Sequence, residues 1–361
     1  MADKVILVII KTGARGSRDP LDMLEEMTEL TLSAQGLVAA SFTANISHPS
    51  PSHYIRGGKV EEIREGIMST GANVIIFSVD LTPGQARNLE ADLGARVVDR
   101  TGLILDIFAR RAVSSDGKLQ VELAQMHYLL PRLVGQGVIM SRLGGGIGTR
   151  GPGEQKLEVD RRKIRRRIDY VQGQLEKLRT HRAQMRSGRR QKGLRQVAIV
   201  GYTNAGKSTL LNTLTSADAY VENRLFATLD PKTRIYQDGI VPSILFTDTV
   251  GFIRDLPHGL VKAFLATLEE VLEADLILIV IDAASDHALE HRRVVEGVLK
   301  ELGAESKKKL VVLNKMDLLG EADRARLRDA FPESFLVSAA QNQGTPDLIS
   351  GIRQALVPVS Q

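Results

Sequence analysis

The sequence contains no cysteine and no tryptophan, and aromatic residues make up only 4% of its 361 positions. The absence of cysteine excludes disulfide bonds, thiolate metal sites and cysteine nucleophiles. The shortage of aromatic residues predicts an aliphatic core and argues against a surface built from base-stacking rings. Apolar runs fall well short of the roughly 20 residues that span a bilayer, and the run at 5–10 is too short for a signal peptide. We therefore expect a cytoplasmic protein without stable membrane insertion, and leave peripheral membrane association open.

The positive charge is concentrated in one segment of the chain. Residues 156–195 contain 15 Lys and Arg but four Asp and Glu, whereas the whole chain has a net charge of +5. The remainder is therefore negative overall. Such a local excess indicates an acidic partner, most often a nucleic acid.

Two regions alternate short apolar strands with helices, which is typical of parallel sheets. The first has predicted strands at 5–10, 37–44, 73–79 and 96–98 and helices at 20–33, 59–70, 83–93 and 101–111. The second has predicted strands at 196–200, 244–247, 276–281, 310–313 and 335–337, and a last helix at 345–356.

Between these regions, apolar residues recur at helical spacing on both sides of a glycine-rich stretch at 143–153. This pattern predicts two antiparallel helices joined by a glycine-rich tip, with a kink in the first helix at Pro131.

A phosphate-binding loop is predicted at residues 201–208, where G-Y-T-N-A-G-K-S follows a strand and precedes a helix. Backbone N–H groups of such a loop cradle phosphate at a helix N-terminus. Lys207 would contact the β- and γ-phosphates, and the Ser208 hydroxyl would coordinate Mg²⁺, the expected cofactor.

The base is predicted to be guanine, which makes GTP the substrate. N-K-M-D at 314–317 follows a strand, and the Asp317 carboxylate can accept hydrogen bonds from guanine N1–H and the exocyclic amino group. Asn314 would reach N7 and Lys315 would lie along the base. A backbone N–H in the S-A-A segment at 338–340 would meet O6.

D-T-V-G at 248–251 predicts the second phosphate-sensing loop: Asp248 would hold Mg²⁺ through water, and the Gly251 N–H would contact the γ-phosphate. Thr228 is our candidate for the second Mg²⁺-binding hydroxyl, with Thr233 as its rival. These motifs resemble those of P-loop GTPases, many of which carry a water-orienting glutamine where Phe252 stands here. We therefore expect slow intrinsic hydrolysis that a partner completes; alternatively, Phe252 packs on the domain and another residue orients the water.

The predicted catalytic residues are Lys207, Thr228 and Gly251, and the predicted metal ligands are Ser208 and Thr228. The predicted GTP contacts are Gly201, Tyr202, Thr203, Asn204, Ala205, Gly206, Lys207, Ser208, Phe226, Ala227, Thr228, Leu229, Asp230, Asp248, Thr249, Val250, Gly251, Asn314, Lys315, Met316, Asp317, Ser338, Ala339 and Ala340.

A run of like charges at 161–167 predicts an RNA-binding helix face, because cations at i and i+4 repel each other without an anionic partner. A solvated face, an acidic protein or an anionic lipid surface are the alternatives. The predicted RNA contacts are Arg142, Arg150, Arg161, Arg162, Lys163, Arg165, Arg166 and Arg167.

The motifs resemble those of translation-factor-like P-loop GTPases, and five segments resemble the HflX family: 101–110, 117–125, 144–154, 226–230 and 248–253. The resemblance covers nearly the whole chain and implies an α/β fold with three domains: an N-terminal α/β domain with a parallel sheet at 1–115, a long antiparallel helical hairpin at 116–192, and a C-terminal P-loop GTPase domain at 193–361.

The resemblance also implies binding to the large ribosomal subunit and its rRNA, with the hairpin tip near the peptidyl-transferase region, and splitting of stalled or idle ribosomes, notably under stress. A monomer is expected. An ATP-dependent RNA-unwinding activity attributed to the family has no motif here. The chain departs from the family at 154–156, where E-Q-K replaces E-T-Q, and we expect the further C-terminal domain of many members to be missing. A ribosome-assembly GTPase and a signalling GTPase with a protein-binding hairpin remain alternatives.

Overall fold

The computed structural model describes residues 3–12, 19–133, 152–191, 193–216, 225–240, 242–255 and 265–357. The chain divides into two compact units, Met1–Arg110 with Lys118–Leu175, and Arg111–Gly117 with Glu176–Gln361. Both predicted hairpin helices are thus shared between the units, whereas the sequence analysis placed boundaries at 115/116 and 192/193. The glycine-rich tip at 143–153, with Arg150, and the adjoining Arg142 lie outside the described residues, except for the last two positions of the tip, which begin a helix.

The first unit is built on four parallel strands in the order β2-β1-β3-β4. Its elements are β1 (Lys4–Thr12), α1 (Pro20–Ser33), β2 (Leu37–Ile46), α2 (Gly57–Thr70), β3 (Val74–Phe77), α3 (Pro83–Leu93), β4 (Arg96–Val98) and α4 (Arg100–Arg111). The central β1 buries its aliphatic residues on both faces, as parallel sheets covered by helices do. Thr82 and Gln85 form a capping box that starts α3.

Asp99 fixes the hairpin to this sheet. Its buried carboxylate follows β4 and accepts hydrogen bonds from the backbone N–H groups of Leu81 and Gly102. It also accepts from the Tyr128 hydroxyl at 2.7 Å and pairs with Arg132 at 2.5 Å. Burial and the nearby Asp99 charge raise the pKa of Tyr128 well above its ordinary value, which keeps its hydroxyl a donor.

The hairpin consists of α5 (Ser115–Arg132) and α6 (Pro152–Gln191). Met126 on α5 packs against Ile168 and Val171 on α6, with further aliphatic residues around them. Pro131 is the penultimate residue of α5, which ends at Arg132. The kink at Pro131 stays a prediction, because residues 134–151 lie outside the described part of the chain. Among the helices described, none is both long and apolar enough to cross a bilayer.

The second unit carries a six-stranded sheet in the order β10-β9-β8-β5-β7-β6. Its elements are β5 (Arg195–Gly201), α7 (Lys207–Thr215), β6 (Lys232–Tyr236), β7 (Ile244–Asp248), α8 (Leu265–Glu273), β8 (Leu276–Asp282), α9 (Ala288–Glu301), β9 (Lys309–Asn314), α10 (Glu321–Ala330), β10 (Ser334–Leu336) and α11 (Thr345–Leu356), with a 3₁₀ turn at Met316–Leu318. Apolar clusters cover both faces of this sheet, so that its central strands are buried.

The sequence analysis missed the edge strand β6, which pairs antiparallel with β7. Its K-T-R-I-Y sequence is half exposed and contains Thr233, the rival candidate for the second Mg²⁺-binding hydroxyl. An edge strand needs only one covered face, so it lacks the continuous apolar run by which the other strands of this sheet were recognised.

Candidate functional site

The phosphate-binding loop lies between β5 and α7 at the carboxyl edge of the sheet, where α/β proteins bind ligands. Two glycines are required by close backbone contacts. A Cβ at Gly201 would lie 2.2 Å from the carbonyl oxygen of Val280. Gly206 has a φ of +86°, and a Cβ there would lie 2.3 Å from Asn314 Nδ2. Of the other predicted contacts, Tyr202, Thr203, Asn204 and Ala205 lie within this loop.

Lys207 is the first residue of α7 and is buried. Its ammonium group donates a hydrogen bond to the Tyr202 carbonyl at 2.8 Å. Burial lowers the pKa of Lys207 to about 8, although the nearby Asp248 carboxylate acts in the opposite direction. The site thus holds a cation with few water contacts, which strengthens its attraction for phosphate.

Three oxygen-bearing side chains converge behind the loop. Ser208 Oγ donates to Asp248 Oδ2 at 2.5 Å and lies 2.8 Å from Thr228 Oγ1. The rival Thr233 is placed in β6 instead, where its hydroxyl meets Thr247. Asp248 Oδ1 is buried and has no hydrogen-bond partner among the described residues. Burial raises the pKa of Asp248 against the opposing effects of Lys207 and Ser208. Hard oxygen donors with one unsatisfied carboxylate oxygen fit Mg²⁺.

The loop after β7 approaches the phosphate-binding loop closely. A Cβ at Gly251 would lie 2.9 Å from Thr203 Cγ2 and 3.0 Å from Lys207 Nζ. Thr249 donates its hydroxyl to the Ile199 carbonyl, and Val250 is buried. These contacts place the Gly251 backbone beside the predicted γ-phosphate position.

Phe252 turns its side chain into the core, where it is 2% exposed and packs with Val200 and Leu268. Its backbone carbonyl accepts from Thr203 N–H at 2.7 Å, and its N–H donates to the Gly201 carbonyl at 3.0 Å. Phe252 therefore joins the two phosphate-sensing loops through its backbone, and its ring cannot orient a water molecule.

The base-recognition segments meet at the ends of β9 and β10. Asn314 Nδ2 donates to the Ala205 carbonyl, and Asn314 Oδ1 accepts from the Ala339 N–H, both at 3.0 Å. Asn314 thus bridges the phosphate-binding loop and the 338–340 loop, a role that the sequence analysis missed. Asp317 lies in the 3₁₀ turn with Met316, and its Oδ1 is buried without a partner among the described residues. An unsatisfied buried acceptor at this position fits a ligand with N–H donors.

Lys315 pairs with Asp282, the last residue of β8, at 2.7 Å. The sequence analysis missed Asp282, although its position directly after an apolar strand was a usable signal. Around the neighbouring loop, the Ser338 N–H donates to the Gln343 carbonyl, and Ala340 follows Ala339 in the same turn. The predicted N–H contact with guanine O6 stays a prediction.

The carboxylate of Asp230 accepts hydrogen bonds from Val113 and Ser114, which directly precede α5. The contact of Asp230 with the nucleotide stays a prediction. In the same segment, Phe226 and Leu229 are buried, and Ala227 adjoins Thr228. The segment therefore places Thr228 beside Ser208, at the predicted Mg²⁺ position, and packs Phe226 and Leu229 against protein.

The basic run lies on α6, and Arg162, Lys163, Arg165 and Arg166 are exposed there. Arg161 and Lys163 lie 3.9 and 3.6 Å from acidic residues one turn away. Arg167 differs, since its guanidinium forms two hydrogen bonds with Glu122 of α5, at 2.7 and 3.0 Å. Arg167 is exposed as well, so its RNA contact stays a prediction, although its guanidinium already has a carboxylate partner.

Three family models match consecutive parts of the chain. The model described as the GTP-binding GTPase N-terminal region matches residues 22–109, and that of the GTP-binding GTPase middle region matches residues 111–189. A model described as a 50S ribosome-binding GTPase matches residues 196–315.

Individual proteins match over most of the chain as well. GTPase HflX of Caldanaerobacter subterraneus subsp. tengcongensis is 49% identical over 98% of this chain and 81% of its own length. GTPase HflX of Escherichia coli K12 is 44% identical over 93% of this chain and 79% of its own. A crystal structure described as SsGBP in complex with GDP is 25% identical, covers 98% of both chains and has a TM-score of 0.53.

Proposed function

Because the chain belongs to the HflX family of GTPases, we propose that it binds the large ribosomal subunit in its GTP state and separates it from the small subunit. The observation that carries this proposal is the presence, in one chain, of a guanine-nucleotide site and a helix with an exposed basic face. The nucleotide site supplies a switch, and the basic face supplies affinity for RNA phosphate.

The chemistry that we propose is hydrolysis of GTP to GDP and phosphate. Lys207 and the Gly251 N–H bind the β- and γ-phosphates, and Asp317 binds the base. Ser208, Thr228 and Asp248 are the residues that would hold Mg²⁺, which supplies positive charge against the charge that develops on the phosphates. These groups position the substrate and stabilise its charge, which is the main contribution of such sites to catalysis.

The attacking water needs a further group, because the Phe252 side chain is packed in the core. We propose that contact with the ribosome completes the site by inserting a polar group. The protein then hydrolyses GTP only after it has bound the ribosome. The GDP-bound protein afterwards dissociates from the ribosome.

The test is to mix assembled ribosomes with the protein and a non-hydrolysable GTP analogue, and to follow the subunits by sedimentation. Separate subunits with the analogue and intact ribosomes with GDP are the expected result. Ser208→Ala, which removes a Mg²⁺ ligand, is the matched inactive variant. Binding to incomplete subunits while mature ribosomes stay intact would instead identify an assembly GTPase. Absence of binding to either particle would favour a signalling GTPase.

A further inference from the structure

Asp230 joins the nucleotide site to the hairpin. Its Oδ2 accepts hydrogen bonds from the N–H groups of Val113 and Ser114, at 2.9 and 2.8 Å, and its Oδ1 accepts from the Ser114 hydroxyl. All three residues belong to the second compact unit. A carboxylate so placed receives charge-assisted hydrogen bonds and lies at the favourable, positive end of a helix.

The other side of the contact is shaped to receive this carboxylate. Ser114 is the N-cap of α5, because its Oγ accepts a hydrogen bond from the Gly117 N–H at 2.9 Å. A Cβ at Gly117 would lie 2.2 Å from Asp230 Oδ1. Glycine at this helical position is intrinsically unfavourable, and here its absent side chain leaves room for Asp230.

Thr228 lies two residues before Asp230, with its hydroxyl 2.8 Å from Ser208 Oγ at the Mg²⁺ position. Two residues span at most about 7 Å. The segment that places Thr228 at the phosphate end of the site therefore places Asp230 at the start of α5. If Thr228 withdraws by more than a few ångströms, Asp230 cannot keep all of its contacts.

We propose that Asp230 is a positioning residue that couples the nucleotide state to the first turn of the hairpin. With GTP and Mg²⁺ bound, Thr228 is held at the metal and Asp230 caps α5; with GDP, both contacts are released together. Coupling of this kind is reciprocal, so the hairpin turn contributes to GTP affinity as much as GTP orders the turn.

A second set of contacts keeps the base of the hairpin attached when Asp230 is released. Glu269 on α8 pairs with Arg179 of α6 at 2.9 Å and lies 3.6 Å from Arg182, which also pairs with Asp116 of α5. These residues lie in the same unit. A variant of Asp230 is therefore expected to fold and to lose only the nucleotide-dependent contact.

The first test is hydrogen exchange of the amides at 112–118 in the unmodified protein. We expect slower exchange with a non-hydrolysable GTP analogue than with GDP, since the Val113 and Ser114 amides are protected only when Asp230 accepts from them. This difference should disappear in Asp230→Ala. Equal exchange in the two nucleotide states of the unmodified protein would overturn the proposal.

The second test uses Gly117→Ala, because Gly117 lies in the hairpin and alanine is the better helix former. Its Cβ should displace Asp230 and weaken binding of the GTP analogue about 5- to 10-fold, within the usual range of coupling between sites. GDP affinity should change less than about twofold. Lys118→Ala, an exposed change in the same turn, is the control and should change neither.

The double variant Gly117→Ala with Asp230→Ala should bind the GTP analogue no more weakly than Asp230→Ala alone, because both changes remove one contact. Fully additive losses would mean that Asp230 acts on the nucleotide directly. Because these measurements use no ribosomes, their outcome is independent of the proposed ribosomal function.

Discussion

At the scale of single residues, Lys207 and Asp248 respond to burial in opposite ways. Burial lowers the pKa of Lys207 to about 8 and raises the pKa of Asp248, so it disfavours the charged form of both groups. A bound nucleotide with Mg²⁺ reverses both effects, because phosphate favours the ammonium ion and the metal favours the carboxylate. Nucleotide affinity should therefore depend on pH through these groups.

For Lys207, the sign follows from its lowered pKa. Above about pH 8 most Lys207 side chains of the nucleotide-free protein are neutral. Bound phosphate favours the ammonium ion, so nucleotide binding takes up a proton. Nucleotide affinity therefore falls as the pH rises. At pH 8.5 we expect an uptake of about 0.8 proton, against about 0.1 at pH 7, from a pKa near 8. Calorimetry in two buffers with different ionisation enthalpies measures it. Equal uptake at both pH values would contradict the assignment.

Asp317 offers a test of base recognition. Its buried Oδ1 lacks a partner among the described residues and is available to guanine donors. In Asp317→Asn an amide donor replaces one acceptor, which suits the 2-carbonyl of xanthine and leaves the guanine amino group unpaired. We expect a loss of about 1–2 orders of magnitude in GTP affinity and a gain for xanthosine triphosphate, since an unpaired buried polar group costs about 1–3 kcal/mol. Unchanged competition between the two nucleotides would contradict this role.

The structure brings together the predicted Ser208, Thr228 and Asp248 side chains. The sequence could indicate these residues because spacing within a loop decides which groups can meet a phosphate. It could not indicate the roles of Asn314 and Asp230. Asn314 bridges two loops that are far apart in sequence. Asp230 contacts Val113 and Ser114, which lie more than a hundred positions earlier in the chain. Such partners follow from the tertiary structure, for which local spacing contains no signal.

At the scale of elements, α6 combines a packing face and a basic face. Ile168 and Val171 are buried against α5, while Arg165 and Arg166 are exposed. The 3.6-residue period predicted this division, but it could not show which cation Glu122 would engage. That choice depends on where α5 lies alongside α6.

Binding to ribosomal RNA should therefore involve Arg165 and Arg166 and not Arg167. Replacing the first two by alanine should weaken binding to the large subunit and reduce the slope of log affinity against log salt by about one to two. Arg167→Ala is the matched control and should leave the slope unchanged. Binding is measured by filter retention between low and moderate salt. A slope that falls only with Arg167→Ala would reverse our assignment.

The elements themselves were predicted best where a strong local signal bounds them. The bounds of α1, α3 and β4 match the prediction, since proline begins both helices and glycine follows α3. The strand β6 was missed because its stability comes from pairing with β7 and not from its own burial.

At the scale of the whole molecule, the hairpin is continuous with both compact units. Residues 118–175 belong with the N-terminal sheet, and the hairpin segments at 111–117 and 176–191 belong with the nucleotide-binding sheet. Sequence composition could separate the helical region from the α/β regions. It could not show that the two hairpin helices are divided between the compact units, because this depends on long-range contacts such as Tyr128 with Asp99 and Arg179 with Glu269. A change at the nucleotide can reach the hairpin within one unit.

The central claim is that the ribosome completes a GTPase whose own water-orienting position is occupied by a packed Phe252. The most direct test is the rate of GTP turnover by the purified protein, alone and with large ribosomal subunits, at moderate salt. We predict slow turnover alone and an increase of at least about 100-fold with the subunit, since one positioned catalytic group is worth about 10²–10⁴ in rate. Equal rates with and without the subunit would contradict the claim.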